Sequence, residues 1–258
     1  MARIGFGIVT YNRPAYLEKV WKYVVQNVAP FVDEIVVYND GSTVDYKRPY
    51  KKICNLKSAT LIDAKVNHGV AYAKNKLLTT LQERNCDFIF IMEDDIMPVS
   101  NKVIPTYLAA YKMTGIDHMM FAHHGPANSH AIDISGPVVW WPSCVGAFTF
   151  YTRDILEKVG FMDEGFNNAW EHVEHSWRIM KHHKMPYGYW PDVLGSEELL
   201  KEIPGSIDKS SIGGQETPER LRVIVDGLLY WKKKDKDFPA QHTLEIYQTA
   251  LKEAIQND

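Results

Sequence analysis

Cysteine is scarce in this chain, with only Cys54, Cys86 and Cys144 among 258 residues, widely and unevenly spaced. That spacing suits neither a disulfide framework nor a zinc site, and Cys86 and Cys144 border apolar runs where thiols are commonly buried. No run of roughly 18 apolar residues occurs, which removes a membrane-spanning helix from consideration. A strand-like run under way by Ile4 leaves no room for a signal peptide, so a cytoplasmic protein is expected. Excess charge of one sign is also missing. The formal net charge is -3, which gives no general attraction for nucleic acid. Lys232, Lys233, Lys234 and Lys236 form a local basic patch that reads as a solvated helix end, or as a surface for a polyanionic acceptor. No internal repeat is visible, and no glycine-rich phosphate loop carries a lysine. What remains, 45% hydrophobic and 24% charged residues, is the composition of a globular chain with one large α/β domain or two small ones.

Within that composition the most informative stretch is Phe88 to Pro98, where an apolar run with the character of a buried strand ends in three consecutive carboxylates, Glu93, Asp94 and Asp95. Such acids repel one another unless something positive lies between them. Their hard oxygens suit Mg²⁺ or Mn²⁺ carrying phosphates, and open α/β sheets bind ligands beyond the carboxyl ends of their strands.

The first hundred residues alternate strand and helix signals. Ile4 to Thr10 is a short apolar run, and Pro14 then opens a segment with Leu17, Val20, Trp21, Val24 and Val25 at helical spacing. Strands are expected at 34–38, 59–63 and 88–92, and a helix over 70–81. This alternation implies a parallel sheet covered by helices with right-handed crossovers. Beyond it, 105–113 reads as helix, 118–122 as extended, 136–151 as an aromatic and β-branched stretch and 153–159 as helix, an α+β extension of the same body. Residues 195–218, rich in Gly, Ser and Pro, read as a long loop suited to a lid. Two helices, near 219–233 and 240–255, are expected to dock on the main body.

Four turns follow the four strand signals. Thr10-Tyr11-Asn12-Arg13-Pro14 offers backbone N–H groups, a ring to stack on a base and a guanidinium near phosphate charge. Asp40-Gly41-Ser42-Thr43 places a carboxylate where a nucleobase edge or ribose could donate to it. Asn67-His68-Gly69-Val70-Ala71-Tyr72-Ala73-Lys74-Asn75 opens a helix on a glycine. Each alone is also an ordinary turn or capped helix; together they would converge on one crevice.

In order and spacing these turns resemble the nucleotide-binding motifs of family 2 glycosyltransferases of the GT-A fold. The resemblance runs over roughly residues 3–192 and includes the stretch from Val145 through Tyr151-Thr152-Arg153-Asp154 to Glu164, similar to that family's acceptor-side segment. It implies a Rossmann-like, mostly parallel sheet flanked by helices. Residues 1–100 would form the nucleotide-sugar half and 101–195 the acceptor half, with 196–258 a loop plus C-terminal helices packed on the same domain. It also implies transfer from a nucleotide sugar, a UDP-sugar in the first instance, to an acceptor that is a glycan, a protein, a lipid-linked sugar or a modified nucleic acid. Thr10, Asn12 and Asp40 would lie around the nucleoside, Lys74 and Asn75 near it or its phosphates, and Asp94 by the ribose, with Tyr11, Arg13, Asn67 and Gly69 in the same nucleotide-sugar-binding set. Glu93 and Asp95 match the two ends of the family's Asp-x-Asp motif, with Asp95 the direct ligand to Mn²⁺ or Mg²⁺. Two departures stand out: Glu93 replaces an Asp, and Lys74 replaces the more usual Arg, keeping charge without the planar fork.

The segment Trp170-Glu171-His172-Val173-Glu174-His175-Ser176-Trp177-Arg178 is similar to the family's Glu-Asp helix, which supplies the general base. The Asp position holds His172, so the role lies between Glu171 and His172, with Glu171 preferred; either suits proton transfer from an acceptor hydroxyl. On a helical wheel Trp170, Val173, Trp177 and Met180 share one face, and Glu171, Glu174, His175 and Arg178 crowd the next, with Glu174 and Arg178 spaced for an ion pair. His123, His124, His172, His175, His182 and His183 are candidates for an additional metal ligand. Trp140, Trp141, Trp170 and Tyr187 to Trp190 are candidates for stacking on sugar faces. The expected reaction is an inverting single displacement; the alternatives are a nucleotidyltransferase and a non-catalytic nucleotide-sugar-binding or scaffold protein.

Overall fold

The computed structural model describes residues 2–206 and 217–256. The glycine-spaced β1 (Ile4–Thr10), with its interior buried on both faces, is the kind of strand that sits inside a parallel sheet. It is flanked by β2 (Glu34–Asn39) and β4 (Phe88–Glu93), both parallel to it, and β3 (Ala59–Asp63) continues the parallel set beyond β2. On the other side β9 (Phe148–Thr152) runs antiparallel to β4, and β6 (His118–Met120) antiparallel to β9. The six-stranded order is therefore β3-β2-β1-β4-β9-β6. The expected α/β architecture holds, with its sheet mixed rather than parallel throughout.

Helices α1 (Pro14–Asn27), α2 (Lys47–Cys54), α3 (Val70–Glu83) and α4 (Val103–Thr114) follow the first strands. Pro14 opens α1, and Leu17, Val20, Trp21 and Val24 are buried, whereas Val25, expected on the same face, is 41% exposed. Gly5 and Gly7 set how closely α3 lies on β1, and a Cβ on Gly5 would stand 2.7 Å from Leu81 Cδ2. A Cβ on Gly7 would stand 2.8 Å from Ile91 Cδ1 and 3.1 Å from Leu77 Cβ, so a larger residue would push the helix off the sheet. Phe6, Phe90, Tyr107, Phe148 and Phe150 fill the space between the middle strands and α4.

The second part of the chain adds α5 (Arg153–Val159), α6 (Glu171–His182) and a small antiparallel sheet of β7 (Asp133–Ser135), β8 (Val138–Trp141) and β10 (Trp190–Val193), in the order β10-β8-β7. The expectation of one loop from 195 to 218 needs correcting. Residues 196–202 form α7 (Ser196–Leu199) and β11 (Leu200–Glu202), and β11 pairs with β5 (Ile96–Pro98) directly after the acidic turn. The core of the expected lid, residues 207–216, lies outside the described residues. Two helices, α8 (Pro218–Lys234) and α9 (Gln241–Gln256), close the described chain. Thr217 caps α8, Trp231 is fully buried against the body, and Lys232 to Lys234 fall in the last helical turn, where cations complement the helix dipole.

Candidate active site

The strand ends carry the expected turns to one edge of the sheet. Asp40 N–H donates to the Thr10 carbonyl, joining the ends of β1 and β2. Gly41 is required there: its φ is +67°, and a Cβ would lie 2.1 Å from the Val66 carbonyl carbon. Asn12, itself left-handed at φ 53°, donates its N–H to Ser42 Oγ at 2.7 Å and accepts the Thr43 N–H at 2.8 Å. The Asp40 carboxylate is 3% exposed and accepts the N–H groups of His68 and Gly69, at 3.0 and 2.9 Å. Asn67 Oδ1 also accepts the Gly69 N–H, at 3.1 Å. These contacts hold the 67–69 turn at the start of α3. Tyr11 is half-buried beside them.

The acidic turn sits at the middle of this edge. Thr10 Oγ1, also within 2.8 Å of Tyr46 Oη, donates to Asp94 Oδ2 at 2.5 Å. Arg13 spans both aspartates, with Nη2 2.5 Å from Asp94 Oδ1 and Nη1 3.0 Å from Asp95 Oδ2. Lys74, buried in α3, reaches Glu93 Oε1 at 2.6 Å and donates to the Gly146 carbonyl at 2.9 Å. Two cations of the chain thus answer three carboxylates. Burial pushes the Asp94 carboxyl up to about 7 against the pull of Arg13. Burial, followed by the neighbouring Glu93 charge, raises Asp95. For Glu93 burial also acts upward, but Lys74 overrides it and holds the group at about 2. The backbone is pinned on both sides, since Glu93 N–H donates to Ala147 O at 2.8 Å and Ile203 N–H to Asp95 O at 2.7 Å.

Not every expected residue faces this edge with free groups. Lys74 is engaged inside the wall. Asn75 tethers α3 to the 162–164 turn, donating to Met162 O and Glu164 Oε1, each at 2.9 Å, and accepting the Met162 N–H at 3.0 Å. Its side chain therefore points to the 162–164 turn.

A cleft of about 360 Å³ opens between the acidic turn and the start of α6. Glu93, His124, Glu171 and His172 line it together with the 144–147 strand approach. The chain enters α6 through Asn168 (φ 54°) and Trp170 (φ 72°), both left-handed without being glycine, a strain that recurs where side chains must be aimed. Glu171 is 4% exposed; its Oε1 lies 3.2 Å from His172 Nδ1 and its Oε2 has no partner. Burial acts to raise the Glu171 carboxyl, but the contact with His172 outweighs it and leaves the group below its ordinary value. Gly146 makes room for His172: a Cβ there would come within 2.8 Å of the ring. The rest of α6 carries the expected ion pair of Glu174 with Arg178 but holds its polar side chains inside the fold. Glu174 and His175 are buried rather than available, Glu174 pairs with Arg178 at 2.8 Å, and His175 Nε2 meets the Gly160 carbonyl at 2.9 Å.

Of the histidines, His124 alone among the described residues combines a place in the cleft with the acidic turn: its Nε2, which has no hydrogen-bond partner, lies 3.8 Å from Asp95 Oδ2. Asp95 Oδ1 is likewise buried and unpartnered. No three His, Cys, Asp or Glu among the described residues form a complete metal cage. Oxygen and imidazole donors with open capacity nevertheless fit a Mn²⁺ or Mg²⁺ ion, which commonly takes one or two carboxylates and completes its shell with substrate phosphates and water. Of the aromatic candidates, only Trp170 lines the cleft; Trp140 and Trp190 are buried in packing. Sequence reasoning missed Arg220, Ile224 and Tyr247, which bring the C-terminal helices into the cleft wall. Nothing local in the sequence marks them, because their role depends on where α8 and α9 dock.

The profile of the family described as Glycosyl transferase family 2 matches residues 6–130. An uncharacterized glycosyltransferase of Acanthamoeba polyphaga mimivirus is 27% identical over 187 residues, 69% of this chain and 71% of that protein. Among solved structures, the mannosyltransferase PcManGT from Pyrobaculum calidifontis, in complex with GDP-Man and Mn²⁺, superposes with a TM-score of 0.63 at 14% identity, covering 98% of this chain and 73% of that one. S. aureus TarS gives 0.58 at 14% identity over 88% of this chain, which spans only 40% of the TarS length. A shorter TarS segment in complex with UDP-GlcNAc gives 0.56 at 14% identity, covering 98% of this chain and 71% of that one. At these identities the solved structures bear on the fold alone.

Proposed function

Because the chain carries a family 2 glycosyltransferase domain on a GT-A-type sheet, we propose that it transfers a sugar from a nucleotide sugar, a UDP-sugar in the first instance, to an acceptor hydroxyl by an inverting single displacement with Mn²⁺ or Mg²⁺. The observation that carries this reading is the shared cleft, which has Glu93 of the acidic turn on one side and the Glu171–His172 pair on the other. The donor lies along the sheet edge, its nucleoside by Thr10, Tyr11, Asn12, Asp40, Asn67 and Gly69 and its ribose by Asp94. Arg13, bonded to both aspartates with 22% of its side chain exposed, would meet a diphosphate by exchanging one of those contacts. Asp95 would hold the cation, with His124 facing it and Glu93 acting through water. That ion would offset the charge developing on the departing diphosphate.

Glu171 takes the acceptor proton on its unpartnered Oε2, while His172 at Oε1 holds the carboxylate ionised and oriented. The buried pair Lys74–Glu93 fixes the wall beneath. The solved complexes of similar fold hold GDP-Man with Mn²⁺ and UDP-GlcNAc, which supports a nucleotide-sugar donor without choosing its base. No helix among the described residues is long and apolar enough to cross a membrane; the reading keeps a cytoplasmic location, which cell fractionation checks.

The test is nucleoside diphosphate release from a panel of nucleotide sugars with Mn²⁺, Mg²⁺ or chelator. Cation-dependent release from one donor supports the reading, and absence of binding to every donor under every condition overturns it. NMR of the anomeric proton in the product reads the stereochemistry. Glu171→Gln is expected to abolish transfer while leaving donor binding intact.

A further inference from the structure

The C-terminal helices bring into the cleft a cation, Arg220, that forms no salt bridge among the described residues and feels the Glu171 carboxylate only across the cleft. Arg220 lies in the first turn of α8, where its backbone N–H donates to the capping Thr217 Oγ1 at 3.2 Å. Its half-buried guanidinium donates from Nη1 to the Asn168 carbonyl at 3.0 Å, and it forms no salt bridge among the described residues. The position is unfavourable twice over. Burial removes water from the charge, and a cation in the first turn opposes the positive end of the helix dipole. A guanidinium in that situation, with only Nη1 hydrogen-bonded among the described residues, is matched to a planar or tetrahedral oxyanion from outside the protein.

Its surroundings say which part of a substrate that oxyanion belongs to. The charges of the acidic turn are met by Arg13 and Lys74. Arg220 instead shares the cleft with Glu171, whose buried Oε2 has no partner, and with Tyr247. The edge of Tyr247 meets Trp170 at 6.2 Å between ring centres, and Trp170 is fixed by an Nε1 hydrogen bond to Ile224 O at 3.1 Å. An apolar aromatic wall, a guanidinium without a salt bridge among the described residues and a carboxylate for the proton suit a subsite for an acidic sugar.

We propose that Arg220 is a specificity-determining residue that reads a carboxylate or phosphate on the acceptor, close to the hydroxyl that receives the sugar. This inference rests on the transferase reading above and narrows its acceptor to an anionic glycan.

The experiment is a ligand-observed NMR titration of the full chain with methyl β-glucuronide, glucose 6-phosphate and methyl β-glucoside. It is run with and without the nucleoside diphosphate that binds best, for the unmodified chain, Arg220→Gln and Arg220→Lys. With nucleotide present, one of the two anionic sugars is expected to bind at least about tenfold more tightly than the glucoside, and which one it is separates carboxylate from phosphate. Arg220→Gln should remove the preference without weakening nucleoside diphosphate binding, and Arg220→Lys should keep part of it, which also shows that the loss is not misfolding. Equal binding of all three sugars, or a preference unchanged in Arg220→Gln, overturns the proposal. So does a loss of nucleoside diphosphate affinity in Arg220→Gln, which would assign the guanidinium to the donor. If no nucleoside diphosphate binds, the transferase reading falls instead, and the nucleotide-free arm still tests whether Arg220 selects anions.

Discussion

Arg13 stands where a cation is needed. It is the direct partner of two aspartates that are almost wholly buried, with its own side chain 22% exposed. Removing one partner of a buried ionic cluster leaves the other charged and desolvated, so Arg13→Met is expected to lower stability by about 3–5 kcal/mol, read by chemical denaturation. If Asp95 accepts a divalent cation, Mn²⁺ should raise the melting temperature of Arg13→Met more than that of the unmodified chain; no difference would argue against Asp95 as a ligand. A second set of residues governs the response to acid. Burial holds His118 at about 4 and His175 at about 3, the latter with Nδ1 unpartnered. Both values lie below the unfolded-state value, so the unfolded chain takes up protons first and stability falls as pH drops below about 6.5. Each imidazole contributes a loss of about 2 kcal/mol between pH 7 and pH 5 on this linkage. Asp94 and Asp192, both raised by burial to about 7, act in the opposite sense over the same range. His175→Asn should flatten the fall of melting temperature with acid relative to the unmodified chain, and an unchanged slope would show that His175 is not buried neutral.

Between elements, the question is how α3 meets the 162–164 turn that leads into α6. The side chain of Asn75 makes three hydrogen bonds to residues 162–164, although its sequence motif associates it with the nucleotide. The two roles predict different outcomes. As a tether, Asn75→Ala should cost about 1–3 kcal/mol and speed amide exchange around Met162, with donor affinity little changed. A fall in donor affinity at constant stability would restore the nucleotide role. The same junction explains why α6 departs from a simple amphipathic helix. Its first turn faces the cleft, and its polar side chains Glu174, His175 and Ser176 are buried against α5, β6 and the Gly160 turn. A helical wheel places residues around an axis but carries no information on how many neighbours surround it.

At the scale of the whole molecule, the C-terminal helices complete the cleft rather than trail from it. Trp231 is fully buried among Tyr187 and Phe238, and it anchors α8, which presents Arg220 and Ile224. Trp231→Ala is expected to lose about 3–5 kcal/mol and to weaken acceptor binding, with donor binding retained, measured by denaturation and by the sugar titration above. If acceptor binding survived undocking of α8, the cleft wall would have to come from elsewhere. The α/β alternation, the turns at the sheet edge and the acidic turn were legible in the sequence, because strand periodicity, glycine at positive φ and a run of carboxylates after an apolar strand are local properties. Glu171 and His172 were singled out by the resemblance of their segment to the family's helix rather than by a local property; the structure puts both on the cleft. Three things were decided only by tertiary structure. Lys74 and Asn75 turn inward to Glu93 and Met162, residues 196–202 form a helix and a strand against β5, and Arg220 arrives at a cleft whose other walls lie some 50 residues or more away in the chain. A local pattern fixes which way a side chain leaves the backbone; what it meets depends on which distant segments pack there, and that is set by the burial of the whole core.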